Sequence, residues 1–294
     1  MRNCELLIVG AGAAGMTAAA SAWEAGCKSI VLIDRAATLG GVLPQCVHRG
    51  FGLATYGEEL TGPEYLGRMA ERLENTGVEV LLNRSVLSVS QSRTAVLSGR
   101  EGLLEISFCR LILATGCREN PIGALPITGT RPAGIFTAGQ AQEMINLRHQ
   151  DLGENVLILG SGDLGMIMAR RFTLEGKHVI AVVEKEKEYS GMARNYRRCM
   201  EQYHIPLICR ATVTEVFGEG RIQGVIVRHL DSGKNEYIPC DTLVTAVGLV
   251  PEQELVKNLG APDWLRFCGN SSRVHDIVDS AVAEAEIVGR EMAR

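Results

Sequence analysis

Residues 5–9, Glu-Leu-Leu-Ile-Val, form a short apolar run that ends in Gly10-Ala11-Gly12-Ala13-Ala14-Gly15. An alanine-rich stretch of helical character follows to about Ala25 and stops at Gly26. A second apolar run, Ile30 to Ile33, then ends at Asp34. The pattern is written again further on. Asn-Val-Leu-Ile-Leu at 155–159 leads into Gly160-Ser161-Gly162-Asp163-Leu164-Gly165, a helical stretch to Glu175, a stop at Gly176, and a strand from Val179 to Val183 ending at Glu184. Adding 150 carries Gly10, Gly12, Gly15, Met16, Gly26 and Asp34 onto Gly160, Gly162, Gly165, Met166, Gly176 and Glu184 without a gap. Short apolar runs alternating with helical stretches predict an α/β chain of β–α–β units. Between and after the copies, Pro63 to Thr76 reads as a helix with Tyr65, Leu66, Met69 and Leu73 on one face. Residues 78–114 read as short strands with a hairpin near Ser98-Gly99-Arg100-Glu101. From about 275 a further helix carries Ile277, Val278, Ala281, Val282, Ala285 and Val288 on its apolar face.

Each glycine has a mechanical reason in a dinucleotide-binding unit. Gly10 permits the tight turn, Gly12 lets the backbone approach a pyrophosphate, and Gly15 lets the helix pack closely on the strand. The helix N-terminus offers free N–H groups and a positive dipole end to phosphates. Asp34 follows Gly15 at the spacing of such a unit, where an acid accepts hydrogen bonds from ribose hydroxyls. One copy of this spacing has the alternative of a mere tight strand-to-helix turn. Two gap-free copies, each closed by an acid, predict two dinucleotide sites.

Composition narrows the reading without changing it. The 294 residues suggest about two domains. Hydrophobic residues at 46% and charged residues at 22% exclude a disordered chain. A formal charge of −4, no basic segment and 5% aromatics argue against a nucleic-acid protein. Nine cysteines, at 4, 27, 46, 109, 117, 199, 209, 240 and 268, contain no C-x-x-C and read as reduced thiols. They offer no clustered ligands for zinc or an iron–sulfur centre, so no metal is expected. Arg2 followed by the apolar stretch Leu6 to Ala20 superficially resembles a signal peptide. The regularly spaced glycines and the continuing β–α–β pattern speak for a cytoplasmic protein instead.

The two units, joined by Leu113-Ala114-Thr115-Gly116 and followed by Thr245-Ala246-Val247-Gly248, resemble the two-dinucleotide-binding-domain flavoproteins. These are the FAD- and NAD(P)H-dependent oxidoreductases related to thioredoxin reductase and glutathione reductase. The resemblance implies two Rossmann-like dinucleotide-binding domains, the second inserted into the first. Residues 1–118 plus 245–294 would bind FAD, and 119–244 would bind NAD(P)H. It assigns FAD contacts to Gly10, Gly12, Ala13, Ala14, Gly15, Asp34, Arg35, Gly41, Val42, Ala114, Thr115, Gly116, Gly248, Gly269 and Asn270. The nicotinamide contacts fall to Gly160, Gly162, Asp163, Leu164, Gly165 and Glu184. Gly40 to Gly52, Glu59-Leu60-Thr61-Gly62-Pro63-Glu64-Tyr65, Gly116-Cys117-Arg118-Glu119 and Arg131-Pro132-Ala133-Gly134-Ile135 are similar to a bacterial subgroup. That subgroup is often paired with a glycerol-3-phosphate-dehydrogenase-like flavoprotein and a small cysteine-containing protein, which implies such partner subunits here. At the end of the second unit, Glu184 accepts the 2′-hydroxyl of NADH and repels a 2′-phosphate. Lys185 and Lys187, which alternate with Glu186 and Glu188, blur this toward NADPH without reversing it.

Relatives that reduce disulfides carry a cysteine pair, and this chain departs from them. Residues 40–50 hold only Cys46, and residues 119–198 hold no cysteine before Cys199. Electrons then leave to a separate acceptor or partner subunit. Cys46 and His48, in a loop the resemblance places near the flavin ring, are candidates for proton transfer or potential tuning. The bland alternative is a packed thiol and an imidazole on a backbone carbonyl. Arg118 and Glu119 read as a surface ion pair. The helix after residue 275 would direct its N-terminus at the flavin, with Asn270 standing where the family usually has Asp. The segment from Pro251 to Cys268 is shorter than the resemblance implies. This leaves the strand at that sheet edge unaccounted for, and with it FAD retention. The competing expectation is a cofactor-binding structural subunit of a larger dehydrogenase complex, without turnover of its own. A third reading makes Cys46 the thiol of a disulfide reductase.

Overall fold

Strand β1, Arg2–Val9, is apolar on both faces from Leu6 onward, as a central parallel strand covered on both sides must be. The computed structural model describes residues 2–294. Leu6 and Ile8 pack toward helix α1, Ala13–Glu24, whereas Leu7 and Val9 face a second apolar cluster on the other side of the sheet. Strand β2, Ile30–Ile33, returns parallel to β1. Helix α2, Gly62–Glu74, begins with a capping box. Glu64 N donates to Thr61 Oγ1 at 3.4 Å, and Thr61 N donates to Glu64 Oε2 at 2.7 Å. Tyr65, Met69 and Leu73 are buried on one face of α2. Strands β3, Glu79–Leu81, β4, Ser85–Val89, β5, Thr94–Gly99, and β6, Gly102–Leu113, complete the first stretch, with β5 and β6 closing as a hairpin at the Gly99–Gly102 pair.

The second stretch holds helix α3, Ala138–Asn146, strand β7, Asn155–Leu159, helix α4, Asp163–Leu174, strand β8, His178–Val183, and strand β9, Thr242–Thr245. They build a five-stranded parallel sheet whose order is the strand Ile135–Thr137, then β9, β7, β8 and the strand Leu207–Ile208. A four-stranded sheet, centred on the antiparallel strands Ala211–Gly218 and Ile222–His229, packs against the face bearing Leu157 and Leu159. The chain then returns to the first sheet with strand β10, Leu265–Phe267, and helix α5, Val278–Glu291.

The chain falls into two compact units, Met1–Arg118 with Val250–Arg294, and Glu119–Leu249. The return to the first unit thus comes after Leu249 and not at 245. The reason is that β9 pairs with β7 through Thr242–Thr245, which ties that segment to the second unit. The first unit's sheet runs β3-β2-β1-β6-β5-β4, and β10 adds to β6 in parallel, pairing Leu265, Arg266 and Phe267 with Leu111, Ile112 and Leu113. The strand that the short 251–268 segment left unaccounted for is therefore present. A 3-10 turn at Glu254–Leu259 in place of longer elements lets so short a segment reach it.

The two copies superpose in their constraints. Gly10 and Gly160 have φ of 107° and 103°, and a Cβ at either would lie 2.3 Å from the carbonyl oxygen of Ala114 or Ala246. A Cβ at Gly15 would meet Gly10 O at 1.7 Å, and one at Gly165 would meet Gly160 O at 2.2 Å. Helix α5 lies against α1, where a Cβ at Gly289 would sit 2.4 Å from Ala18 O. Overpacking at these contacts has no soft neighbour to displace. Gly15→Ala and Gly289→Ala should each destabilise the protein by about 2–4 kcal/mol. Gly67→Ala, inside α2 with no heavy atom within 4 Å of the new Cβ, should stabilise it by about 0.5–1 kcal/mol. Urea denaturation midpoints check the opposite signs.

Candidate functional site

In the first unit the strand–turn–helix leaves the start of α1 open. Gly12 is the N-cap, no side chain caps the helix, and the first-turn N–H groups, including those of Ala13 and Ala14, lack intrahelical acceptors. Gly40 and Gly41 run alongside. Gly40 N donates to Ala11 O at 2.9 Å, and a Cβ at Gly41 would lie 3.1 Å from Gly12 Cα, so a side chain there would close the approach. Gly269 completes the margin, since its Cβ would lie 2.5 Å from that of Ala14. The turn formed by Ala114, Thr115 and Gly116 passes over Gly10, with Ala114 N donating to Val9 O and Thr115 Oγ1 to Glu252 O. This ring of backbone atoms and small residues fits a dinucleotide pyrophosphate, which needs N–H donors and no side-chain bulk.

Asp34 ends β2 partly exposed. Its Oδ2 accepts Ala11 N at 2.7 Å and its Oδ1 accepts Ala36 N at 2.8 Å, so backbone N–H groups orient it and lone pairs remain on both oxygens. Arg35 beside it is exposed, and Val42 is 66% exposed. Asn270 is fixed on two sides: its Oδ1 accepts His275 N at 3.0 Å, and its Nδ2 donates to Cys117 Sγ at 3.6 Å. The amide supplies a donor, and the Cys117 sulfur accepts it.

The second unit repeats the backbone and changes the side chains. Gly162 caps α4, and a Cβ there would meet nothing within 4 Å. Asp163 turns its Oδ1 to Met192 N at 2.8 Å and Asn195 Nδ2 at 2.7 Å, while Leu164 joins the core. Glu184 is 5% exposed. Its Oε2 accepts Ser161 N at 3.0 Å, Ser161 Oγ at 2.5 Å and Ser190 Oγ at 3.1 Å, and its Oε1 accepts Glu186 N at 3.0 Å. Burial pushes its carboxyl up, but these four bonds outweigh burial and hold it below the ordinary value of 4.5. The sequence offered Glu184 as an open ribose acceptor. The structure places it under the 190–195 loop, with only Oε1 left lightly engaged. Ser161 and Ser190, which the sequence reading missed, do this work, and only the hydroxyl at 161, where the first copy has Ala11, hinted at it. Gly248 sits beside Asn120, which donates to Val247 O, and so belongs to the second unit.

The remaining candidates separate from the site chemistry. Cys46 is 9% exposed, its Sγ donates to Val42 O at 3.2 Å, and burial pushes the thiol up to about 12. Burial disfavours its thiolate, which weighs against a nucleophilic role for Cys46. His48 has Nδ1 3.2 Å from Arg49 O, with its ring 5.1 Å from that of Phe51. Arg118 pairs with Glu252 at 2.8 Å and not with Glu119, whose carboxylate instead accepts Gly139 N in the first turn of α3. A cavity of about 320 Å³ lined by His149, Arg171, Phe172 and Lys177 lies at the far end of α4 from its glycine turn. Among the described residues no helix is long and apolar enough to cross a membrane.

The family model for Pyridine nucleotide-disulphide oxidoreductase matches residues 4–263. The hydrogen cyanide synthase subunit HcnB of Pseudomonas aeruginosa is 28% identical over 88% of this chain and 60% of its own length. The NADH oxidase of Streptococcus pyogenes is 28% identical over 70% of this chain and 48% of its own. The chain thus spans about half the length of the curated relatives it matches. The thioredoxin reductase of T. acidophilum shares the fold at 21% identity, with a TM-score of 0.80 over 100% of this chain and 98% of that one.

Two outcomes follow from the local chemistry. Iodoacetamide at pH 8 should label the exposed Cys109 and leave Cys46 unmodified in the folded protein, read by peptide mass spectrometry. Because the folded Glu184 binds its proton more weakly than the unfolded chain does, its contribution is complete above about pH 4.5 and fades as pH falls through its lowered value. Glu184→Gln should cost about 1.5–3 kcal/mol at pH 7 and flatten the acid limb of stability below pH 4.5, seen in urea titrations across pH.

Proposed function

The chain belongs to the pyridine nucleotide-disulphide oxidoreductase family, and from that premise we propose that it passes a hydride between NADH and FAD and relays the electrons to a separate acceptor or partner subunit. The unit holding Gly10, Asp34 and Gly269 takes FAD, and the unit holding Gly160 and Glu184 takes the nicotinamide dinucleotide. FAD, when bound, supplies the ring that accepts and releases the hydride. The chain's own part is placement. The open N–H groups at the start of α1 take the pyrophosphate, Asp34 takes ribose hydroxyls with its free lone pairs, and Asn270 and the Ala114–Gly116 turn fix the rest. The observation that carries this reading is the doubled strand–turn–helix, with neither helix start capped by a side chain and the first and third glycines of both turns too tight for one.

NADH is the preferred donor. Glu184 keeps a buried negative charge at the end of β8, and on the exposed loop that follows Lys185 pairs with Glu186, so a 2′-phosphate meets acids there. The electrons leave without a resident disulfide, because no second cysteine accompanies Cys46 in residues 40–50 and the Cys46 thiol is buried. A similar chain being a subunit, HcnB, supports a partner-bound assembly here. The partners implied by the subgroup motifs are a glycerol-3-phosphate-dehydrogenase-like protein and a small cysteine-containing protein. Against the competing reading, a structural subunit without turnover, stands the pairing of β10 with β6 despite the short 251–268 segment.

An absorbance spectrum of the purified protein, before and after anaerobic NADH, tests the reading. The expected result is a flavin spectrum that NADH bleaches, with kcat/KM for NADH at least about tenfold above that for NADPH. A colourless protein that fails to take up added FAD sinks the flavin assignment, and equal bleaching by both nucleotides sinks the donor preference.

A further inference from the structure

One carboxylate in the first unit is buried without a countercharge. Asp279, in the first turn of α5, is 7% exposed. Its Oδ1 accepts Thr55 Oγ1 at 2.5 Å and Tyr65 OH at 3.4 Å, and its Oδ2 accepts Ala54 N at 3.4 Å. Three donors surround it, which is the hydrogen-bond pattern of an ionised carboxylate. Arg72, which lines the same cavity as Thr55, pairs with Glu24 and Glu286 instead. Among the described residues, none forms an ion pair with Asp279. A buried carboxylate held by neutral donors costs desolvation, which the positive start of α5 partly offsets.

The position of that field is set by packing. The Cβ that Gly269 lacks would fall 2.5 Å from Ala14 Cβ and 3.9 Å from Ala281 Cβ, so the first turns of α1 and α5 meet on either side of the Gly269–Asn270 turn. Two positive helix ends are thereby gathered at one margin of the same site. Asp279 sits inside one of them and subtracts from it.

We propose that Asp279 is a potential-setting residue for the flavin site: its charge offsets the positive end of α5 and holds the bound flavin's reduction potential below the level the two helix ends would otherwise set. A lower potential makes the reduced cofactor a stronger donor, which suits a chain that must hand electrons onward without a disulfide. The inference rests on the assignment of FAD to this unit. Asp279 acts through its field and touches no reacting atom in this account.

The experiment measures the flavin midpoint potential against reference dyes under anaerobic conditions, for the native chain, Asp279→Asn and Thr55→Val. Asparagine keeps the shape and removes the charge. It should shift the two-electron equilibrium about tenfold toward reduced flavin, which is about 30 mV upward. Thr55→Val removes one donor and keeps the charge, so the potential should hold or fall. An Asp279→Asn protein that retains FAD at an unchanged potential overturns the proposal. So does a Thr55→Val protein whose potential rises, because position and not charge would then be the cause. If Asp279→Asn fails to fold, the Thr55→Val measurement decides alone, a rise refuting and its absence supporting the proposal. A native chain with no flavin spectrum overturns the assignment beneath it, and the missing absorbance distinguishes that failure from the others.

Discussion

The structure depends on a backbone contact that leaves no room for a side chain. Where β1 ends, the carbonyl of Ala114 passes 2.3 Å from the place a Cβ of Gly10 would occupy, and Ala246 does the same to Gly160. That closeness draws the chain leaving the neighbouring strand, β6 or β9, across the top of the turn. It seats α1 and α4 directly on their sheets through Gly15 and Gly165, and it aims both helix starts at the ends of the strands. Ligands in open α/β sheets bind at those strand ends, because free N–H groups, the helix dipole and the crevice coincide there. The ring around α1, from Gly41 to Gly269, elaborates this one contact.

From a common backbone the two units reach different chemistry through one small substitution and one methylene. Ala11 follows the first glycine in one copy and Ser161 in the other; the strand-end acid is Asp34 in one and Glu184 in the other. The longer acid reaches back to the serine hydroxyl and draws Ser190 over itself, and Gly191 N then bonds Ser161 O. Tyr189 and Tyr196 stack at 4.3 Å beside it. The loop after β8 is thus folded back over its own glycine turn, whereas Asp34 stays at the rim, oriented by backbone N–H groups. The first unit presents its acid outward, and the second encloses its acid and presents the loop.

The legible part of this architecture was the part governed by local geometry. Glycine spacing, strand ends and the apolar faces of α2 and α5 follow from sterics and periodicity within a few residues, and they stand where the pattern put them. The illegible part depends on residues distant in sequence. Nothing local says that Ser190 will seal Glu184, or that Arg118 will find Glu252 while Glu119 caps α3. Strand β10 escaped notice because so short a strand shows no periodicity of its own and exists only through its pairing with β6. Asp279 left one trace, a charge beside the apolar stripe of α5. A first-turn acid there reads as an ordinary favourable dipole contact until Thr55 and Tyr65, from the opposite end of the chain, are brought onto it.

The thiols make a consistent argument about where electrons can go. Burial pushes Cys4, Cys46, Cys240 and Cys268 up to about 12 and Cys199 up to about 11. Thiol–disulfide exchange runs through the thiolate, so burial disfavours it at these five sulfurs. No disulfide joins any pair among the described cysteines. On the proposed reading, a chain whose five buried sulfurs disfavour exchange leaves the cofactor itself to pass electrons on. On that reading the rim from Gly41 to Gly269, lined with backbone and small side chains, would be where an acceptor approaches.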